Sequence, residues 1–136
     1  MPNSLTGSCL CGDIRFSLKD DFSAFYFCHC RQCQQISGSS NASNLFTTPS
    51  NIQWLQGKEK LIRYDYPNRS FSKSFCAQCG SGMPLVTKSG KALLVPAGSL
   101  DQAPKSVFPT KNIFCAEKVD WFEAAVQAPS VDGFPE

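Results

Sequence analysis

The dominant pattern along the chain is a short alternation of apolar and polar residues, interrupted every few positions by proline, glycine or asparagine. A period of two sends successive side chains to opposite faces, so the pattern predicts half-buried β-strands. Ile14, Phe16 and Leu18 alternate with Arg15, Ser17 and Lys19, and Phe71, Lys73 and Phe75 alternate with Ser70, Ser72 and Ser74. β-Branched or aromatic runs at 45–48, 52–55 and 61–66 are separated by Pro49, Gly57 and Pro67-Asn68. Residues 84–87 and 92–95 flank Lys88-Ser89-Gly90-Lys91, which predicts a hairpin. Helical signals are weak. Residues 33–37 fit one turn ending at Gly38, and 118–126 fit a short helix or, through Trp121-Phe122, a strand. From Pro129 onward the proline- and glycine-rich tail is expected to lie loosely on the surface. The expected architecture is mainly β, a single domain over residues 1–136 with its core between about 5 and 122.

Composition narrows the class. A 136-residue chain with 42% apolar content is long enough to bury a core. The longest apolar run, Ala92 to Ala97, contains Pro96 and is far shorter than the roughly 18 residues of a membrane span. The first residues carry neither the cationic nor the apolar segment of a secretory signal, so a cytoplasmic location is expected. In a reducing compartment, eight closely spaced cysteines point to metal binding or redox chemistry rather than structural disulfides. The formal charge of +2 suggests an anionic partner only if the thiols are neutral. Seven thiolates and two divalent ions bring +2 down to −1. With Lys and Arg also scattered, no nucleic-acid partner is expected.

The cysteines form three clusters and a singleton: Cys9-Leu10-Cys11-Gly12, Cys28-His29-Cys30-Arg31-Gln32-Cys33, Cys76-Ala77-Gln78-Cys79-Gly80, and Cys115. A cysteine pair ending in glycine predicts a zinc knuckle, in which backbone amides fold toward the sulfurs. Structural zinc takes four ligands in a closed tetrahedron. Cys9, Cys11, Cys76 and Cys79 make one such set; disulfides or free thiols are the competing reading. Cys28, Cys30 and Cys33 offer three thiolates and leave one position open, as catalytic zinc sites do. Such a site would accept a thiol as fourth ligand. Its competitor is a second structural site completed by Cys115 or His29. Cys115 otherwise reads as a small core residue in its apolar setting. His29 reads as a packing or supporting residue, and Arg31 and Lys73 as ordinary solvated charges.

Phe27-Cys28-His29-Cys30-Arg31-Gln32-Cys33-Gln34 with Ser37-Gly38-Ser39 closely resembles the glutathione-dependent formaldehyde-activating enzyme family, which includes centromere protein V. Gly7 to Gly12, Phe75 to Ser81, Ala97-Gly98-Ser99-Leu100-Asp101, and Lys118 with Trp121 extend the resemblance over nearly the whole chain. It implies a zinc-bound, mainly antiparallel fold of short strands, the β-tent. By the same resemblance, Cys9, Cys11, Cys76 and Cys79 hold a structural zinc, and Cys28, Cys30 and Cys33 a catalytic one. The implied activity is carbon–sulfur lyase chemistry on small thiol adducts, with glutathione and formaldehyde giving S-hydroxymethylglutathione. Arg31 is a candidate for binding a glutathione carboxylate. Many members carry histidine where this chain has Asn112. The rival function is a non-catalytic interaction module on the same fold, which predicts a closed or empty tripod.

Overall fold

In the computed structural model, which describes residues 3–135, the alternating segments form three small sheets. Strands β1 (Ser4–Ser8), β2 (Arg15–Lys19) and β5 (Gln53–Gln56) make the first, in the order β1-β2-β5. The second is ordered β11-β3-β4-β10-β9, from β3 (Ala24–Cys28), β4 (Ala42–Thr47), β9 (Leu85–Val86), β10 (Leu93–Pro96) and β11 (Lys111–Ile113). Strands β6 (Leu61–Asp65), β7 (Ser72–Cys76) and β8 (Gly82–Met83) form the third. Every pairing within the sheets is antiparallel except β11 on β3, which is parallel. The expected mainly β architecture of short antiparallel strands is what the chain adopts. The expected hairpin is the β9–β10 pair, with Leu93 opposite Val86.

The first sheet obeys its alternation. Ile14, Phe16 and Leu18 face inward with Leu5 of β1, and the Phe16 ring meets Trp54 of β5 edge-on at 5.8 Å. They join Phe22, Phe25, Leu45, Met83, Leu93 and Val95 in one core, which also takes in Cys9 and Cys76. Burying side chains of this size is worth roughly 1.5–3 kcal/mol each, so this cluster is the main cohesive term. A second, smaller cluster holds Cys28, Cys30 and Cys33, covered by Ala42, Phe71 and Ile113. One cysteine group is thus part of the main core, and the other sits in its own buried patch.

Two helices complete the chain, α1 (Arg31–Ser37) and α2 (Trp121–Gln127). Residues 118–126 therefore resolve in favour of helix over strand. Helix α1 begins two residues earlier than the expected turn and ends, as expected, before Gly38. No described helix is long and apolar enough to cross a membrane. Residues 128–135 form no helix or strand and are exposed.

Candidate metal and substrate site

The first and third cysteine clusters meet where β1 and β7 end. Past each cysteine pair the chain turns back through a glycine with positive φ, Gly12 at 84° and Gly80 at 78°. Side chains rarely tolerate that conformation, and glycine adopts it freely. The turns aim amides at sulfur: Ile14 N donates to Cys9 Sγ at 3.3 Å and Gln78 N to Cys76 Sγ at 3.3 Å. The Ser81 hydroxyl lies 3.2 Å from Cys79 Sγ and accepts from Leu10 N at 2.9 Å, which ties the two turns together. The ligand atoms of Cys9, Cys11, Cys76 and Cys79 all lie within 4.8 Å of one another. A tetrahedron of Zn–S bonds near 2.3 Å sets sulfurs about 3.8 Å apart. Cys9–Cys11 at 3.6 Å and Cys11–Cys76 at 3.9 Å match that spacing. The Ser81 hydroxyl, then the amides of this site, bring Cys79 down to about 5, so the group readily offers a thiolate.

The second cluster bridges the end of β3 and the start of α1. Cys28 closes the strand, and Cys30 caps the helix, its sulfur accepting from Cys33 N at 3.4 Å. A sulfur cap, rather than the usual serine or aspartate, turns the helix start toward the thiols. The three ligand atoms lie within 4.8 Å of one another and all three residues are buried. Hydrogen bonding from the Cys33 thiol, aided by the Cys30 amide and thiol, outweighs burial and brings Cys28 down to about 6. The same contact with Cys28, together with burial, pushes the Cys33 thiol well up. Burial also pushes Cys30 up. Both donor sets are soft thiolates with the spacing zinc accepts, so both groups are compatible with zinc.

Around this cluster the packing is specific. His29 is fully buried and points away from the thiols, with Nε2 2.8 Å from Asn112 Oδ1 and its ring edge-on to Phe122 at 4.7 Å. It is a supporting residue, and it shares its hydrogen bond with Asn112. Gln34, buried on α1, donates through Nε2 to His29 O at 2.8 Å and Glu117 O at 2.9 Å. These bonds hold the cysteine loop against the segment after β11. Phe114 in that segment has φ 56° and ψ 42°, a left-handed conformation that costs a bulky residue about 1–3 kcal/mol.

Cys28, Cys30 and Cys33 line a cavity of about 370 Å³. Phe46, Phe71, Leu85, Leu94 and Ile113 give it an apolar wall, and Arg69, Lys88 and Glu117 supply charge. The Lys88 ammonium donates to the carbonyls of Tyr66 and Arg69, which holds the β6–β7 loop over the cavity. Glu117 accepts from Arg31 N at 3.1 Å. Arg69, Lys88 and Glu117 carried no sequence signal, because each comes from a different loop and none lies in a cysteine motif.

Three sequence expectations change. Cys115 is exposed, its thiol donating to Asn112 O at 3.3 Å, so it is neither a core residue nor gathered with the tripod. The reason is local: Cys115 opens a 3-10 turn that follows the left-handed Phe114 and stands clear of both clusters. Arg31 does not line the cavity, so its candidacy for a glutathione carboxylate lapses while its reading as a solvated charge holds: it is exposed, its guanidinium donating to Gln34 Oε1 at 3.2 Å on α1. Lys73 is not a solvated charge. It is half-buried, and burial pushes its pKa down while the nearby Cys33 pulls it up.

A model of the glutathione-dependent formaldehyde-activating enzyme family matches residues 4–117, a span that includes all three clusters and the cavity's charged residues. The chain belongs to that family. Membership supports glutathione-related formaldehyde activation. Among solved structures, this family member is similar to a Rhodobacter sphaeroides protein from a structural genomics programme. The two share 22% identity and a TM-score of 0.61 over 79% of this chain and 98% of the other, a likeness of fold. No curated protein matches the chain.

Proposed function

We propose that this family member is a zinc-dependent carbon–sulfur lyase acting on small thiol adducts, with glutathione plus formaldehyde in equilibrium with S-hydroxymethylglutathione as the reference reaction. The observation that carries the reading is the opening of three buried, adjacent thiols onto an apolar-walled cavity. The rival interaction module predicts a closed or empty tripod instead. In this reading Cys28, Cys30 and Cys33 hold the catalytic zinc, and Cys9, Cys11, Cys76 and Cys79 hold a structural one. Zinc held by the three thiolates would supply Lewis acidity and favour the thiolate form of an incoming thiol.

The chain's own residues do the remaining work. Arg69, in none of the ion pairs among the described residues, and Lys88 offer positive charge to the carboxylates of a glutathione-like thiol. Phe46, Phe71 and Leu94 exclude water, which competes for the aldehyde by hydrating it. The substrate sulfur adds to the aldehyde carbon and forms the C–S bond. The carbonyl pair moves to oxygen, which takes up the proton that the thiol gave up. Glu117 is the one carboxylate among the described residues lining the cavity and is the group placed to carry that proton. In reverse the same steps release aldehyde and thiol.

Exchange NMR on glutathione, formaldehyde and zinc-loaded protein tests the reading. Acceleration of adduct exchange over buffer is expected, with Arg69→Ala raising KM more than it lowers kcat. No acceleration with both metals bound would sink the reference reaction.

A further inference from the structure

Phe114 holds a backbone conformation that its side chain disfavours. Its φ of 56° and ψ of 42° are left-handed, a region in which Cβ crowds the following carbonyl. The other left-handed positions among the described residues belong to Asn68 and five glycines, the residue types that adopt this region readily. The course of the chain explains why a turn is needed here. Ile113 ends β11 opposite Cys28, and its carbonyl accepts from His29 N at 2.9 Å. Three residues past Phe114, Glu117 is fixed by Arg31 N on its carboxylate and by Gln34 Nε2 on its carbonyl. A glycine at position 114 would make the same turn without strain. Packing does not account for the ring either, which is 60% exposed and belongs to neither apolar cluster. What the ring does reach is the cavity. Phe114 lines it together with Cys28, Cys30, Cys33 and Glu117, and an exposed side chain that lines a cavity stands at its mouth.

Strained residues of this kind cluster where a side chain acts on a ligand. We propose that Phe114 is a substrate-contact residue that sets specificity: when a thiol's sulfur enters the tripod, the ring covers the ligand's carbon skeleton at the mouth. The proposal rests on the reading of the cavity as a thiol site. An aromatic ring offers a large, rigid apolar surface for such a contact. A thiol with a body long enough to reach from the cysteines to the mouth gains that contact, and a short bare thiol does not. Phe114 thereby favours a peptide-sized thiol such as glutathione over a two-carbon one.

Calorimetric titration of the zinc-loaded full chain with glutathione and, separately, with 2-mercaptoethanol tests this without any turnover. Phe114→Gly keeps the left-handed turn and removes the ring. Its affinity for glutathione should fall about tenfold, equivalent to about 1.4 kcal/mol, while its affinity for 2-mercaptoethanol stays that of the wild type. Relief of the left-handed strain outweighs the freedom that glycine adds to the unfolded chain, so the Tm of this variant should not fall. Phe114→Tyr, which keeps a ring, should retain glutathione binding. An unchanged glutathione affinity in Phe114→Gly, an equal loss for both thiols, or a Phe114→Tyr variant as weak as Phe114→Gly would overturn the proposal. A lower Tm in Phe114→Gly would overturn it as well, by showing that the ring serves the fold. A wild-type chain that binds neither thiol with both zinc ions in place would remove the thiol reading of the cavity itself, and that outcome is visible before any variant is made.

Discussion

His29 is fully buried, and its two ring nitrogens fare differently. With Asn112 Oδ1 as acceptor, Nε2 carries the proton, while Nδ1 has no hydrogen-bond partner among the described residues. The bond to Asn112 therefore offsets the burial of an imidazole wedged between two of the tripod cysteines in sequence. Asn112→Leu leaves both nitrogens unpaired and should cost about 1–3 kcal/mol, the usual toll of a buried polar group stripped of its partner. Urea unfolding checks this: the midpoint should fall with an unchanged m-value. Adding His29→Leu should recover much of the loss, since removing both partners leaves nothing unsatisfied. A double variant no better than the single one would mean that His29 contributes through its packing on Phe122. The sequence marked Asn112 as the departure from the family pattern, but its hydrogen-bond partner lies 83 residues away.

At the scale of elements, strand periods were legible throughout, but the inward face of β7 was not. In β7 the fully buried side chains are Ser74 and Cys76, while Phe75 of the aromatic set is only half-buried. Alternation fixes which residues share a face; the placement of Cys76 beside Cys9 decided which face met the core. Helix α1 was half-read for a similar reason. Its cap is a cysteine sulfur, which is not among the residues that signal a helix start. One connection depends on a single glycine. Gly57, with φ 77°, turns the chain after β5, and a Cβ there would lie 2.0 Å from the carbonyl oxygen of Asp13, which follows the first cysteine turn. That obstacle is backbone and cannot swing aside. Gly57→Ala should lose at least about 2 kcal/mol from the left-handed penalty and the overlap combined. Thermal unfolding would register the loss as a Tm drop of several degrees, and an unchanged Tm would show that the Asp13 turn yields easily.

At the scale of the whole molecule, the two cysteine groups were legible because each cluster is contiguous, with spacing that survives without any knowledge of the fold. The cavity was not, since Arg69, Lys88 and Glu117 converge from separate loops only once the sheets are assembled. The two cysteine groups also differ in what they connect. The tripod closes a short local segment between β3 and α1, whereas Cys11 and Cys76 are 65 positions apart and join the first sheet to the third. Closing a loop of that length restricts the unfolded chain by an amount worth roughly 4 kcal/mol on the scale used for cross-links. Cys9 and Cys76 moreover belong to the main hydrophobic core, so an ion they share would be bound by folding itself. The proposed zinc ions should accordingly leave in two stages as chelator is raised. The first stage should remove the tripod ion and the proposed lyase activity while the far-ultraviolet circular dichroism stays unchanged. The second should remove the other ion and unfold the chain cooperatively, because the sheets lose the link that holds their ends together. Cys76→Ser should reproduce the second stage alone, giving a chain unfolded at temperatures where Cys33→Ser is still folded. Metal content and circular dichroism followed in the same titration decide the matter: simultaneous loss of both ions and of structure would show that the tripod, too, holds the fold together.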